Sequence, residues 1–496
     1  MTDKRIPALI LAALILSSSL VSCGSAQPAA ADTVTTAVTS ADTAAAADTT
    51  AVQVKANVPE EDYEGADFLI LTYDDGNLAT RTYKNSDADT ETGDTINDAI
   101  YKRNLTVEED FNINISQFAT GSVESVAKKA IMAGDSTYDL IISSISHIRG
   151  LASSGYLINL YDVPYIDMTR EYWDQNMSSE LTIGGKLFCN TGDIAVYDDM
   201  RVVCSIFNKG LWEQNGLEDP YELVLGGKWT LDKMIELGSN VTKDLNGDGV
   251  YDQNDLWGIM SEYGAGNDFF FASGERMVSL DADGNPKIVF DSERSISAAE
   301  KTLTFLLDSA NVFLGDKIKS DDVWVTASLM FQQDQVLMRT TTFEPVPRDL
   351  RAMDTDFGVL PIPKFDEQQS DYHSFARSDI YVACVPSSVS SAERSGIITE
   401  SLAAGSVATL TPAFYDISLQ GKVLRDDASQ SMLDIIFGSK VYDIGYLYSI
   451  GSFESMLSNI ISSGKNNFAS KLEGSLSKAQ TSLDKLVDAY AEIGEN

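Results

Sequence analysis

A run of acidic and amide residues between positions 244 and 255 has the spacing of a calcium-binding loop. In the sequence DLNGDGVYDQND, side-chain oxygens recur at the first, third, fifth, ninth and twelfth positions, and glycine occupies the sixth. Hard oxygen ligands around a tight glycine turn suit Ca²⁺, and the seventh residue would add its backbone carbonyl. The predicted ligands are Asp244, Asn246, Asp248, Val250, Asp252 and Asp255.

Two features of this loop limit the prediction. Asp255 occupies the last position, where the pattern has glutamate, so its shorter carboxylate would bind through one oxygen and more weakly. Only one such loop is visible, which argues against a calcium sensor and for a structural site. The alternative is a polar turn without metal, in which Asp and Asn side chains bond the nearby backbone.

The loop must be positioned by the elements on either side of it. Apolar residues from Trp229 to Leu237 recur at helical spacing, and Thr230 is placed to cap the start of this helix. The segment LWGIM, which follows the loop, begins a hydrophobic strand. The sequence therefore predicts a helix, a polar loop and a strand in this order.

The N-terminus has the composition of an export signal. Lys4 and Arg5 precede an apolar stretch that is too short to span a membrane comfortably. Ser22 and Cys23 follow it and resemble the bacterial lipobox, in which the Cys is lipidated. We therefore expect a signal peptide at 1–22, lipidation of Cys23 and anchoring at the outer face of the cell membrane; an ordinary secretory signal is the alternative. Residues 23–57, rich in Ala and Thr, are predicted to be a disordered tether.

Composition excludes several functional classes. The 496 residues carry a formal net charge of -38, which argues against nucleic acid and anionic lipid as partners. A chain of this length can form two lobes. Cys189, Cys204 and Cys384 remain besides Cys23, an odd number. Cys189 and Cys204 could pair across a predicted hairpin, but free buried thiols are the favoured alternative.

Strands and helices alternate between residues 66 and 143. The strands ADFLILTY, FNINISQF and YDLIIS are separated by helices at 95–111 and 123–133, and this rhythm indicates a parallel α/β sheet. In open α/β sheets, ligands bind beyond the carboxyl ends of the strands. That rule points to Ser146 and His147, which follow YDLIIS; ordinary turn chemistry is the alternative for the serine.

Several motifs occur in an order that resembles one protein family. They include the helix and DLNGDG loop described above, the hairpin GGKLF at 184–188, FNK at 207–209, and the segment FYDISLQGKVLRDDASQSMLDIIFG near the C-terminus. The order resembles the extracellular solute-binding proteins of bacterial ABC importers, in the carbohydrate branch related to maltose-binding protein. The resemblance covers most of residues 60–490.

This resemblance implies a fold and a function. We expect an α/β protein with the two-lobe, type II periplasmic-binding-protein-like fold and a hinge between the lobes. The first lobe would comprise 58–192 and about 376–410, and the second 193–375 and about 411–496. A carbohydrate, favoured as an oligosaccharide, would be held between the lobes and delivered to separate permease subunits, without catalysis and without a required cofactor. The alternatives are a secreted glycoside hydrolase with two carboxylates, or a ligand-sensing partner of a membrane receptor.

The resemblance also implies, by position, which residues contact the ligand. Phe343 is expected to be an aromatic platform for a sugar ring, although a core position is the alternative for each aromatic residue. The predicted ligand-binding residues are Ser146, His147, Asp193, Asp199, Arg201, Asp268, Phe269, Thr341, Phe343 and Glu344.

Overall fold

The computed structural model describes residues 54–74, 76–77, 80–419 and 427–493. The predicted signal peptide, Cys23 and most of the predicted tether lie outside these residues. Within the last part of the predicted tether, Val54 and Ala56 pack against the core.

The described residues contain short strands and many helices. The strands are β1 (Ala66–Tyr73), β2 (Ile113–Thr120), β3 (Leu140–Ser144), β4 (Val203–Asn208), β5 (Trp257–Ser261), β6 (Val278–Leu280), β7 (Pro286–Ile288), β8 (Val312–Leu314), β9 (Val336–Thr342), β10 (Phe357–Leu360), β11 (Ser374–Phe375), β12 (Tyr381–Cys384) and β13 (Lys440–Val441). The helices are α1 (Arg81–Lys84), α2 (Thr95–Phe111), α3 (Val123–Met132), α4 (Ile145–Ser153), α5 (Gln175–Leu181), α6 (Tyr197–Met200), α7 (Lys209–Gln214), α8 (Pro220–Leu225), α9 (Leu231–Ser239), α10 (Ala265–Ala272), α11 (Glu293–Leu306), α12 (Val323–Gln332), α13 (Pro345–Arg348), α14 (Ala392–Ser406), α15 (Leu410–Leu419), α16 (Asp427–Gly438), α17 (Ile444–Leu447), α18 (Met456–Ser463) and α19 (Phe468–Glu492).

The first sheet has the strand order β12-β3-β1-β2. β1 pairs in parallel with both β2 and β3, which confirms the parallel sheet predicted from the alternating elements. α2 begins where the sequence indicates, because the Asp94 side chain accepts the N–H groups of Ile96 and Asn97. The antiparallel strand β12 joins this sheet from much later in the chain, and local sequence patterns give no sign of that pairing.

The second sheet has the order β10-β4-β9-β5-β8 and is mixed. β5 is parallel to β8 and β9, whereas β4 is antiparallel to β9 and β10. The predicted helix before the polar loop is α9, and Thr230 caps it by accepting the Lys233 N–H at 3.2 Å. The residues Ala51–Asn496 group as one compact unit, so the lobe limits given above stay a prediction.

One apolar stretch, Ala392–Ser418, is long and hydrophobic enough to pass a composition test for a membrane span. In the fold it covers α14 and most of α15, and more than half of its most apolar window is buried. Both helices contact α2, the helix that connects β1 and β2 of the first sheet. Packing inside the protein therefore accounts for its apolar character.

Candidate functional site

Two arginines lie where the chain crosses between the sheets. Arg201 precedes β4 and Arg377 precedes β12, and Val202 forms an antiparallel bridge with Ala376 between them. The Arg377 N–H donates to the Arg201 carbonyl at 3.4 Å. Both side chains are largely buried. The crossing therefore places two permanently charged groups beside each other, next to the strand ends of both sheets.

Each guanidinium group binds two carboxylates from different elements. Arg201 binds Glu344, just after β9, and lies 2.6 Å from Asp379. Arg377 binds Glu262, just after β5, and lies 2.8 Å from Asp268 in α10. We call this group the arginine cluster: Arg201, Glu262, Asp268, Glu344, Arg377 and Asp379.

Burial and ion pairing have opposite effects on the pKa values of the arginine cluster. Burial alone would lower the pKa of Arg377, but Asp268 and Glu262 outweigh it and raise that pKa well above its ordinary value. Burial raises the pKa of Asp268 to about 6, although the neighbouring Arg377 acts in the opposite direction. Both guanidinium charges are therefore already neutralised by carboxylates within the protein.

Ser146 and His147 lie beyond β3, at the carboxyl edge of the first sheet. His147 Nδ1 is 3.0 Å from Ser144 Oγ, which is also 2.8 Å from Ser146 Oγ. The imidazole ring packs 4.1 Å from the ring of Tyr73, at the end of β1. Burial lowers the pKa of His147, so the ring is neutral at pH 7. The Ser146 N–H donates to the Ser378 carbonyl at 3.0 Å. The start of α4 therefore adjoins Asp379 and the arginine cluster.

The structure brings five predicted residues to this region and places others in the core. Phe343 is fully buried, with ring centroids 6.1 Å from Phe414 and 5.2 Å from Phe437, so this structure favours the core position that was the alternative to a sugar platform. Both residues follow the end of β9, and Glu344 binds Arg201 whereas Phe343 packs in the core. The residues near the arginine cluster are Ser146, His147, Arg201, Asp268 and Glu344.

Phe269 and Thr341 are also buried rather than presented to a ligand. Phe269 lies inside α10, and its ring packs edge-on against Phe305 at 5.1 Å. Thr341 lies within β9, opposite Cys204 of β4. Neither side chain binds the arginines of the arginine cluster in the described contacts, and their expected contact with a ligand stays a prediction.

Asp193 and Asp199 belong to a different group of charges. Lys440 Nζ lies 2.9 Å from Asp198 and Asp199 and 3.3 Å from Asp174. Asp193 and Asp199 line a cavity of about 250 Å³ together with this lysine. Burial raises the pKa of Asp193 to about 6. These two aspartates therefore lie with Lys440 and outside the arginine cluster.

Sequence reasoning missed several residues of this region. Arg377, Asp379 and Glu262 lie at the ends of strands whose neighbours come from distant parts of the chain. Trp324, in the first turn of α12, is a further half-exposed aromatic residue that was not predicted. The signal available in the sequence was a charged or aromatic residue next to each strand end.

The calcium-like loop is held by hydrogen bonds to its own backbone. Asp244 accepts the N–H groups of Gly247 and Gly249 at 2.7 and 2.9 Å, and Asp255 accepts those of Leu245 and Asp252 at 2.9 and 2.8 Å. Within the described residues, no group of three or more His, Cys, Asp or Glu side chains is arranged to hold a metal ion. These contacts are those of a polar turn, and calcium binding stays a prediction.

Comparison with known proteins decides the family. A sequence profile described as "Bacterial extracellular solute-binding protein" matches residues 87–366, more than half of the chain. The chain belongs to this family. The resemblance seen in the sequence motifs is thereby confirmed. A comparison of this solute-binding protein with curated protein sequences finds no match.

Solved structures resemble this solute-binding protein over most of its length. A cyclo/maltodextrin-binding protein complexed with maltotetraose has a TM-score of 0.54 at 14% identity, over 87% of this chain and 97% of its own. UspC of M. tuberculosis has a TM-score of 0.54 at 14% identity, over 84% and 100%. A solute-binding protein from Thermotoga lettingae bound with α-D-tagatose has a TM-score of 0.52 at 14% identity, over 85% and 100%. The predicted two-lobe, type II architecture is therefore confirmed.

Proposed function

We propose that this solute-binding protein captures an uncharged carbohydrate, an oligosaccharide, beside the arginine cluster and delivers it to the permease of an ABC importer. The arginine cluster carries the proposal. Its guanidinium groups are neutralised by protein carboxylates, so they offer hydrogen bonds rather than an unpaired positive charge for an anionic solute. A polyhydroxyl solute can donate to the carboxylates and accept from the N–H groups at the same time.

Neighbouring groups support a sugar as the solute. Among the described residues, Asn267 Oδ1 and Asp268 Oδ1 accept no hydrogen bond, and an unsatisfied buried acceptor costs about 1–3 kcal/mol. In our proposal, sugar hydroxyls donate to both oxygens when the solute binds. The indole of Trp324 supplies an apolar face against which a sugar ring can stack. The structurally similar proteins bound to maltotetraose and to tagatose are consistent with this chemistry.

The proposal also covers the transport role and the cellular location of the protein. The protein is anchored through lipid on Cys23 at the outer face of the cell membrane, and separate permease subunits receive the sugar. It binds the sugar without breaking a glycosidic bond. The family's extracellular character and the N-terminal sequence support this arrangement.

We also propose that the loop from Asp244 to Asp255 binds a structural Ca²⁺. Support comes from the ligand spacing in the sequence and from the positive φ angles of Gly247 and Gly249, 73° and 74°, which produce the tight turns that such a loop needs. To bind Ca²⁺, the Asp244 and Asp255 carboxylates must give up their hydrogen bonds to backbone N–H groups and coordinate the ion instead.

The proposal is tested with the protein from residue 51 onward, which spans the compact unit. Its melting temperature is measured against maltooligosaccharides, monosaccharides and matched uronic acids. A solute at 100 times its Kd adds about 2.7 kcal/mol to the free energy of unfolding. We expect uncharged oligosaccharides to raise the melting temperature. Chromatography should then recover these oligosaccharides intact. Shifts from uronic acids or peptides alone would refute the carbohydrate proposal, and shortened sugar products would refute the absence of catalysis.

A further inference from the structure

Two cysteines, Cys384 in β12 of the first sheet and Cys189 in the segment bridged to it, lie opposite one another. Asn190 and Ala383 form an antiparallel bridge in which each N–H donates to the other residue's carbonyl, at 3.1 and 2.8 Å. The next pair in this register, Cys189 and Cys384, is therefore a non-hydrogen-bonded pair. In such pairs the Cα atoms are about 4.5 Å apart and the side chains point to the same face.

This position suits a disulfide bond. The Cα separation expected for the pair falls within the range of about 4.4–6.8 Å found in disulfides. Burial, together with the nearby Cys189, raises the pKa of Cys384 well above its ordinary value, which agrees with two neighbouring sulfur atoms. Cys204 lies in β4 of the other sheet, opposite Thr341. The pair considered from sequence, Cys189 with Cys204, is thus separated between two sheets.

We propose that Cys189 and Cys384 form a cross-strand disulfide in the exported protein, whereas Cys204 stays a thiol. In the structure all three are buried free thiols, so the bond would form by oxidation of the Cys189 and Cys384 side chains. Extracellular proteins work in compartments where disulfides form and persist. The inference rests on the family's extracellular location and not on the identity of the solute.

The bond forms by thiol–disulfide exchange with an exported oxidant that itself carries a disulfide. One cysteine thiolate attacks the oxidant's disulfide and gives a mixed disulfide, and the second cysteine thiolate then displaces the oxidant. The oxidant leaves with two thiols, which take the two protons that the cysteines lost. Burial raises the pKa of Cys189 to about 12, so the folded protein holds little thiolate. Exchange must therefore precede complete packing of the lobe.

The disulfide would join two chain segments that lead to the crossing. Cys189 lies between α5 and Arg201, and Cys384 ends β12, shortly after Arg377. A covalent link here would stabilise the first lobe next to the arginine cluster. Because the cysteines are far apart in the sequence, closing the loop between them restricts the unfolded chain strongly.

The exported protein is denatured without reductant, alkylated, digested and analysed by mass spectrometry. We expect alkylated Cys204 and a linked peptide pair that contains Cys189 and Cys384. Full alkylation of all three cysteines would overturn the proposal.

Melting temperatures measured with and without a reductant provide a second test. Reduction should lower the melting temperature of the wild-type protein by about 3–5 °C, and that of Cys204→Ser equally. The double variant Cys189→Ser/Cys384→Ser should be insensitive to reductant. If that variant does not fold, wild type and Cys204→Ser still decide: no effect of reductant on either would contradict the disulfide.

Discussion

Lys440 gives the sharpest test of how the crossing is stabilised. Its side chain is largely buried and lies within 3.3 Å of Asp174, Asp198 and Asp199. Lys440→Met keeps most of the side-chain volume but leaves these carboxylates without their cation. Removing one partner of a buried ion pair costs about 3–5 kcal/mol. Over roughly 440 folded residues the unfolding entropy is about 0.9 kcal/mol per degree, so the melting temperature should fall by about 3–5 °C.

The pH dependence of the stability lost in Lys440→Met gives an independent readout of the same ion pairs. Burial raises the pKa of Asp198, and Lys440 opposes that rise. Without Lys440, the pKa of Asp198 in the folded state moves further above its value in the unfolded state. A carboxyl group with a raised folded pKa contributes stability at low pH that is lost as pH rises. Lys440→Met should therefore be more destabilising at pH 8 than at pH 5.5.

Calorimetric or fluorescence melting curves at both pH values measure this effect. Lys129→Met is the matched control, because Lys129 is exposed on α3, and it should change the melting temperature by less than about 1 °C. In the double variant Lys440→Met/Asp198→Asn, the loss of one unpaired carboxylate should restore part of the stability. An unchanged melting temperature for Lys440→Met, or a loss that is equal at both pH values, would refute the reasoning.

Four further predictions concern other parts of the molecule. Trp324→Ala should weaken sugar binding about 2- to 10-fold in calorimetric titration, whereas Leu329→Ala, further along α12, should not. The pKa of Asp268 is raised from 3.8 to about 6, so this residue lowers the free energy of unfolding as pH rises from about 4 to 6, and Asp268→Asn should flatten that slope in denaturant titrations. Adding Ca²⁺ should raise the melting temperature of the wild-type protein but not that of Asp244→Ala, which lacks the first predicted ligand; wild-type curves that coincide with and without Ca²⁺ would leave the loop a turn. Cys23→Ser should release the protein from the membrane fraction into the medium, and retention would argue against the lipid anchor.

Local sequence patterns were sufficient for the individual elements of the fold. The residue limits predicted for β1 and α2 agree with the structure, because a short apolar run and apolar residues at helical spacing are local signals. Thr230 capped α9 for the same reason. The pairing of β12 with β3 could not be predicted locally, since it depends on the return of the chain from the second sheet.

The candidate site was only partly predictable. Ser146 follows from its place beside a strand end, and Arg201 was implied by the family resemblance, but Arg377 is brought to Arg201 by a crossing that sequence spacing does not encode. Phe343 and Glu344 are adjacent in sequence, and only the facing of the chain after β9 decides which of them meets Arg201. Cys189 and Cys384 show the same limit, because their register is set by a bridge between distant segments.

The most direct test of the central claim is calorimetric titration of the wild-type protein and of Arg377→Met with an uncharged oligosaccharide identified by thermal shift. The account predicts one-to-one binding by the wild type and a loss of at least about 10-fold in affinity for the variant, because charge-assisted hydrogen bonds contribute roughly 1.5–3 kcal/mol each. A melting curve and circular dichroism establish that the variant is folded. Equal affinity of the two folded proteins would contradict the assignment of the arginine cluster as the solute-binding site.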